Sequence, residues 1–222
     1  MWFHNGMVNS VDGKTIKVKN LTVTSSSIRA LNISYGSTLI SSGNVKVDST
    51  NNYVFWVEDG TVAVSGNIEI TTSGHIGLWY DSTIGKLSAN NITATCDSGN
   101  GSCFYIAGGT VTVTNTVSVT GGCGAVSVES ASLTAKKIIG TVGPSDCGAI
   151  MIGIAPEDGS PGAIVIATES ILGVGGDKVL GGVVCSEGAT ITSPMIYYYP
   201  KKNISCTVNG TVNCRSGSTC TN

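Results

Sequence analysis

Proline and charge are both scarce in this chain. Of 222 residues, 5 are proline and 12% are Asp, Glu, Lys or Arg, about half the charged share of an ordinary globular protein. With so little charge and 41% hydrophobic residues, the chain is not intrinsically disordered, a state that needs low hydrophobicity and high charge. Basic residues do not outnumber acidic ones: there are 12 Lys and Arg against 14 Asp and Glu. That leaves no electrostatic footprint for phosphates, so no nucleic-acid partner is expected. Residues suited to helix surfaces are few, whereas Ser, Thr, Val and Gly abound, which excludes a helical bundle. No apolar run approaches the roughly 18 residues of a membrane-spanning helix, so no membrane insertion is expected. The opening Met1-Trp2-Phe3-His4-Asn5-Gly6 has neither the basic nor the apolar region of a secretory signal. A trimmed mature fragment, or release by lysis or budding as for a virion component, accommodates that start.

Cysteine is present but not in metal-binding form. No CxxC pair occurs among the 8 cysteines, and zinc and redox motifs need thiolates at such short spacing. Disulfides are the expected state, which implies an oxidising compartment: extracellular, cell-surface or virion. No metal and no cofactor are expected.

What the chain does contain is a repeat. A turn, a short β run, a polar step and a second β run recur as one phrase. It reads Asp59-Gly60-Thr61-Val62-Ala63-Val64-Ser65-Gly66-Asn67-Ile68-Glu69-Ile70 at one place and Gly108-Gly109-Thr110-Val111-Thr112-Val113-Thr114-Asn115-Thr116-Val117-Ser118-Val119 at another. The apolar residue opening the second run is placed at Leu21, Val45, Ile68, Ile92, Val117, Ile139, Ile171 and Ile196, in steps of 22 to 25 residues and one of 32. Periods in the twenties mark a solenoid.

Each period holds a third β run, such as Tyr53-Val54-Phe55-Trp56-Val57 or Cys103-Phe104-Tyr105-Ile106. Three short strands and three turns make one coil of a single-stranded parallel β-helix, all-β in class. Alternation sends Phe55, Val57, Val62, Val64, Ile68 and Ile70 inward. About eight coils stacked strand on strand give a rod roughly 40 Å long. The long step holds Ile154 to Gly162, with two of the prolines, and reads as an inserted loop. The expected division is residues 1–10 as an N-terminal cap or contact segment, 11–196 as the β-helix, and 197–222 as a Cys-rich C-terminal cap over the exposed core.

This pattern resembles the right-handed parallel β-helix superfamily, which includes pectate-lyase-like enzymes, viral tailspikes and surface adhesins. The resemblance spans about residues 11–196, is one of architecture, and rests on no catalytic motif. It implies a rod that trimerises or stacks into filaments.

Cys96 follows a second run and Cys103 opens the next third run, so a disulfide closing that turn is expected. Cys123 and Cys147 each precede a Gly-Ala that opens a third run. Stacked coils bring such positions within disulfide reach. Cys185, Cys206, Cys214 and Cys220 form two further pairs whose partners the spacing leaves open. Sequons at Asn20, Asn32, Asn91, Asn203 and Asn209 permit glycosylation, although composition alone accounts for about that many.

Titratable groups converge poorly. Of the two histidines, His4 and His75, neither belongs to a triad or a metal cluster. Asp12, Glu58, Asp59, Asp81, Glu129 and Glu187 gather near one turn of the solenoid. Asp59 and Asp81 in adjacent coils are the candidate acid/base pair of a polysaccharide lyase or glycoside hydrolase; set against this, Asp suits ordinary turns. Outward Trp56, Trp79 and Tyr105 form a candidate binding stripe across three coils, suited to sugar rings or a partner subunit unless the rings merely cover one another. A threonine face that orders ice is disfavoured on the second run by Lys46, Asp48 and Glu69. The leading expectation is a non-enzymatic extracellular structural or attachment protein, a virion appendage, surface adhesin or filament subunit, with cell-surface glycans or protein subunits as partners.

Overall fold

The computed structural model describes residues 2–4 (backbone only), 8–10, 12–26, 28–74, 76–97, 99, 101–121, 123–143, 148–153, 162–175, 181–215 and 220. All regular elements among them are β-strands, and every strand pairing is parallel. The pairings link residues one coil apart, not neighbours in sequence: Ile68 sits beside Val45 on one side and Ile92 on the other. The chain is therefore a parallel β-solenoid with three sheets, one for each run of the repeat.

Burial follows the period-two alternation of the runs. The first-run sheet sends Leu39, Val62, Leu87, Val111, Leu133, Val165 and Ile191 inward in one column. The third-run sheet does the same with Leu31, Phe55, Leu78, Phe104, Val126, Ile150 and Val183. These residues lie at 0–1% exposure. In the second-run sheet the column is Leu21, Val45, Ile68, Ile92, Val117, Ile138, Ile171 and Ile196. Ile138, not Ile139, thus occupies the inward place in the sixth position. The turn before it is shorter, and a register irregularity between Ala135 and Lys137 moves the alternation by one. Ile139 faces outward beside Leu172.

Strand pairing passes both ends of the expected 11–196 helix. Trp2–His4 pairs with Leu21–Ser25 and Val8–Ser10 with Leu31–Ser34. At the far end, Lys202–Ile204 and Thr207–Cys214 stack on the coil before them. The coil count therefore differs slightly from eight, and the Cys-rich segment joins the stack as a further layer. Its Val208, Val212 and Ile204 are only partly buried, as suits an outermost layer. Nearly all of the inserted loop, residues 154–161, lies outside the described residues, as does His75.

Disulfides join Cys96 to Cys103, Cys185 to Cys206, and Cys214 to Cys220. The first closes the turn between a second and a third run, as its spacing suggests. The other two resolve the pairing that the sequence leaves open. Cys123 is also disulfide-bonded; its expected partner, Cys147, lies outside the described residues.

Candidate binding face on the third-run sheet

The outward residues of the third-run sheet bring the three expected aromatics together. Trp56 is in register with Trp79, and Trp79 with Tyr105, because Phe55, Leu78 and Phe104 fill the inward places beside them. The ring centroids of Trp56 and Trp79 are 4.9 Å apart with planes 7° from parallel, and those of Trp79 and Tyr105 are 4.2 Å and 30°. These separations match the coil spacing of about 4.8 Å, so the rings stack along the rod axis. Arg29 lays its guanidinium 4.0 Å from the Trp56 centroid, covering the outer face of the stack. Tyr53 meets Trp56 and Trp79 edge-on at 5.2 and 5.8 Å. Both faces of Trp56 and of Trp79 are thus spent within the ladder and on Arg29, and Tyr105 keeps its far face, toward Ser127 of the next coil. What the ladder offers a partner is mostly ring edges, on a firmly held surface.

A second column runs beside the aromatic one, two residues further along each strand. Glu58 follows Trp56 and is in register with Asp81, which follows Trp79. Trp56 Nε1 donates to Glu58 Oε2 at 3.3 Å. The Tyr105 hydroxyl bonds Glu129 from the following coil, and burial together with that bond and the Glu129 charge pushes the phenol above its ordinary range. Asp81 is also raised, first by burial and then by the neighbouring charges of Asp59 and Glu58.

The two candidate acid/base residues have different tasks here. Asp59 stands in the left-handed region at φ 48° on the turn after the third run. Its Oδ1 accepts from both the amide and the hydroxyl of Thr83, each at 2.9 Å. That carboxylate is occupied in holding the turn of the next coil. Asp81 points to the sheet face among like charges. Because its folded pKa is raised, the folded state favours the protonated form. The charged form is therefore a liability above the ordinary carboxylate range, and stability falls as pH rises through the raised value. Asp81→Asn is expected to raise the melting temperature at neutral pH, with the gain vanishing below the ordinary Asp pKa of about 3.9. Thermal melts at the two pH values check this.

The sequence reading missed a ladder of asparagines on the turn before the second run. Asn20 Oδ1 accepts from the Asn44 amide at 2.8 Å, and Asn44 Oδ1 from the Asn67 amide at 2.9 Å. Asn91 Nδ2 donates to Asn67 Oδ1 at 2.9 Å, and Asn91 Oδ1 accepts from the Thr116 amide at 3.1 Å. Asn115 Nδ2 bonds Asn90 Oδ1 at 2.6 Å. The signal is visible in Asn20-Leu21, Asn44-Val45, Asn67-Ile68 and Asn91-Ile92, where an asparagine precedes each inward anchor. Two of the sequon asparagines, Asn20 and Asn91, therefore belong to this ladder. Asn32 is 8% exposed and donates to Asn9, whereas Asn203 and Asn209 are exposed.

The shallow grooves elsewhere carry little chemistry. One of about 250 Å³ is lined by Ala63, Ser65, Ser88, Asn90 and Thr114. Another of about 270 Å³ holds one carboxylate, Asp48, already paired with Lys46 at 3.3 Å. Among the described residues no group of three His, Cys, Asp or Glu could hold a metal ion, and no helix is long and apolar enough to cross a membrane. No family model, curated protein or solved structure matches the chain.

Proposed function

We propose that this is a non-enzymatic extracellular structural and attachment protein: a stiff β-solenoid rod that holds the Trp56–Trp79–Tyr105 face rigid for a partner. The observation that carries this is the stacked ladder itself. It fixes three large side chains on the outside of a sheet whose backbone is hydrogen-bonded to the coils above and below. Fixed aromatic side chains lose little entropy on binding and are favoured at the centres of protein contacts. Disulfide bonds are compatible with an extracellular place. A virion appendage, a surface adhesin and a filament subunit all use such a rod, and the architectural resemblance to tailspikes and adhesins supports that group.

The polysaccharide lyase or hydrolase reading finds less support. Its pair needs two free carboxylates across a cleft, whereas Asp59 is engaged with Thr83 and Asp81 stands on an open sheet face. Incubation with a panel of acidic and neutral polysaccharides is expected to release no reducing ends and no unsaturated products. Product release that disappears in Asp81→Asn would overturn the proposal in favour of the enzyme. Electron microscopy of native material would then assign the rod to a virion, a filament or a cell surface.

A further inference from the structure

The acidic column beside the ladder has no counter-charge of its own. Among the described residues the ion pairs are Lys46 with Asp48 and Lys137 with Glu169, neither of them on this sheet. Glu58 and Asp81 are register partners, so two carboxylates stand about 4.8 Å apart at the backbone. Glu129 follows Val128, which pairs with Ile106, so it falls in the same column two coils beyond Asp81, with Ala107 at the place between them. Asp59 adds a fourth charge at the adjoining turn. The cation nearest the aromatic column, Arg29, lies over Trp56.

The corner next to this column is apolar and open. Tyr35 is 63% exposed and Ile84 is 73% exposed. Tyr35 sits on the turn directly above Asp59, since its amide donates to the Glu58 carbonyl at 3.1 Å. Ile84 follows Thr83, the residue that Asp59 holds. Aromatic edges, carboxylates with no ion-pair partner among the described residues and exposed apolar side chains therefore lie beside one another over five successive coils, from the one holding Tyr35 to the one holding Glu129. Surfaces combining aromatic anchors with exposed apolar groups mark interaction sites.

We propose that this surface docks an extended, lysine- or arginine-bearing segment of another polypeptide, which deepens the attachment reading above and rests on it. The basic heads lie against Glu58, Asp81 and Glu129, and their aliphatic stems lie along the edges of Trp56, Trp79 and Tyr105. Charge complementarity selects this occupant. A cation relieves the repulsion within the acidic column, and opposite fields steer the encounter. Long basic side chains cover apolar surface with their stems while keeping the charged head at its polar border. A neutral sugar would stack on an open ring face, and both faces of Trp56 and Trp79 are covered by the ladder's own members and Arg29, which leaves it the far face of Tyr105 alone.

The test uses the full chain and a fluorescent peptide alternating lysine and serine, followed by anisotropy at low salt. The peptide is expected to bind wild type and to lose affinity as salt shortens the screening length. Glu58→Gln/Asp81→Asn, nearly isosteric and checked for folding by circular dichroism, is expected to weaken binding by at least about tenfold. Asp48→Asn/Glu69→Gln, which removes as much charge from the second-run sheet, is expected to leave it within about twofold. Absence of binding overturns the proposal. So does equal weakening by both double variants, which would show attraction to net charge alone. Calcium chloride displacing the peptide at its own concentration would assign the carboxylates to a metal and also overturn it. Binding of a neutral glycan at Trp56 in place of the peptide would overturn the basic-segment partner yet leave the attachment reading standing; catalytic product release would remove the attachment reading itself.

Discussion

Ile68→Asp is expected to abolish folding. Ile68 is fully buried, stacked between Val45 and Ile92 in the second-run column. An aspartate there would lose the aliphatic contacts of the isoleucine, a change that by itself costs about 2–5 kcal/mol. It would also bring a carboxylate, or its neutral acid, into an apolar interior with no partner, at a further cost of several kcal/mol. The total approaches the entire stability of a typical domain, about 5–15 kcal/mol. A solenoid has no alternative way round such a defect, because each coil is held mainly by its two neighbours. Far-UV circular dichroism and limited proteolysis would register the loss as an unfolded or extensively cleaved chain. Glu69→Ala is the control: Glu69 is the next residue, points outward and is exposed, so its loss is expected to cost no more than about 0.5 kcal/mol. If Ile68→Asp melts like the parent, Ile68 does not face the axis and the alternation assigned to the second run is wrong.

That alternation was legible because period and burial agree. Where the Gly-Thr-Val phrase is intact, as at Thr61–Val64 and Asn67–Thr72, the inward residues fall where the sequence puts them. The outward places of Trp56, Trp79 and Tyr105 follow from the same rule, with the register between coils making them neighbours. The rule weakens where turns vary. At Lys136-Lys137-Ile138-Ile139 two adjacent isoleucines compete for one inward place, and only the shorter turn decides for Ile138. The ends are less legible for a related reason. Residues 2–4, 8–10 and 202–204 lack the recurring phrase, yet a parallel edge accepts any strand whose amides and carbonyls align, so pairing continues there; Thr207–Cys214 also pairs and carries a Gly210-Thr211-Val212 of its own.

Side-chain tasks were harder to infer than side-chain directions. Asp59 and Asp81 look equivalent in sequence, each following a third run, but the hydrogen bonds to Thr83 place one in the turn scaffold and leave the other on the face. The asparagines before the inward anchors offered a periodic signal as regular as that of the glycines. Glycosylation motifs at Asn20 and Asn91 competed for the same residues. Each bond of such a ladder contributes about 1 kcal/mol, so the turn before the second run is cross-linked from coil to coil much as the sheets are.

A different part of the coil limits how closely the chain can stack, and there a single methyl group is expected to have a large effect. Gly121 has φ 95°, and a Cβ built on it would sit 1.8 Å from the carbonyl oxygen of Cys96. That oxygen is backbone of Cys96 itself, in the neighbouring coil and anchored by the Cys96–Cys103 disulfide; it cannot swing aside as a side chain would. Gly13 supplies the comparison. Its φ is 71°, and nothing lies within 4 Å of its Cβ position. Gly13→Ala therefore carries only the left-handed backbone penalty, about 1–2 kcal/mol. Gly121→Ala carries that penalty and must also separate two stacked coils, breaking parallel hydrogen bonds such as the one from the Cys96 amide to the Thr120 carbonyl at 2.9 Å. A loss beyond about 4 kcal/mol is expected, in the range kept for strain and clashes at special backbone positions. Equilibrium urea unfolding of the two variants measures the difference directly. Equal losses would mean that the coils near Cys96 stack more loosely than their backbone bonds indicate. A larger loss at Gly121 would identify the turn after the second run as the place where close approach of the backbone sets the spacing of the rod.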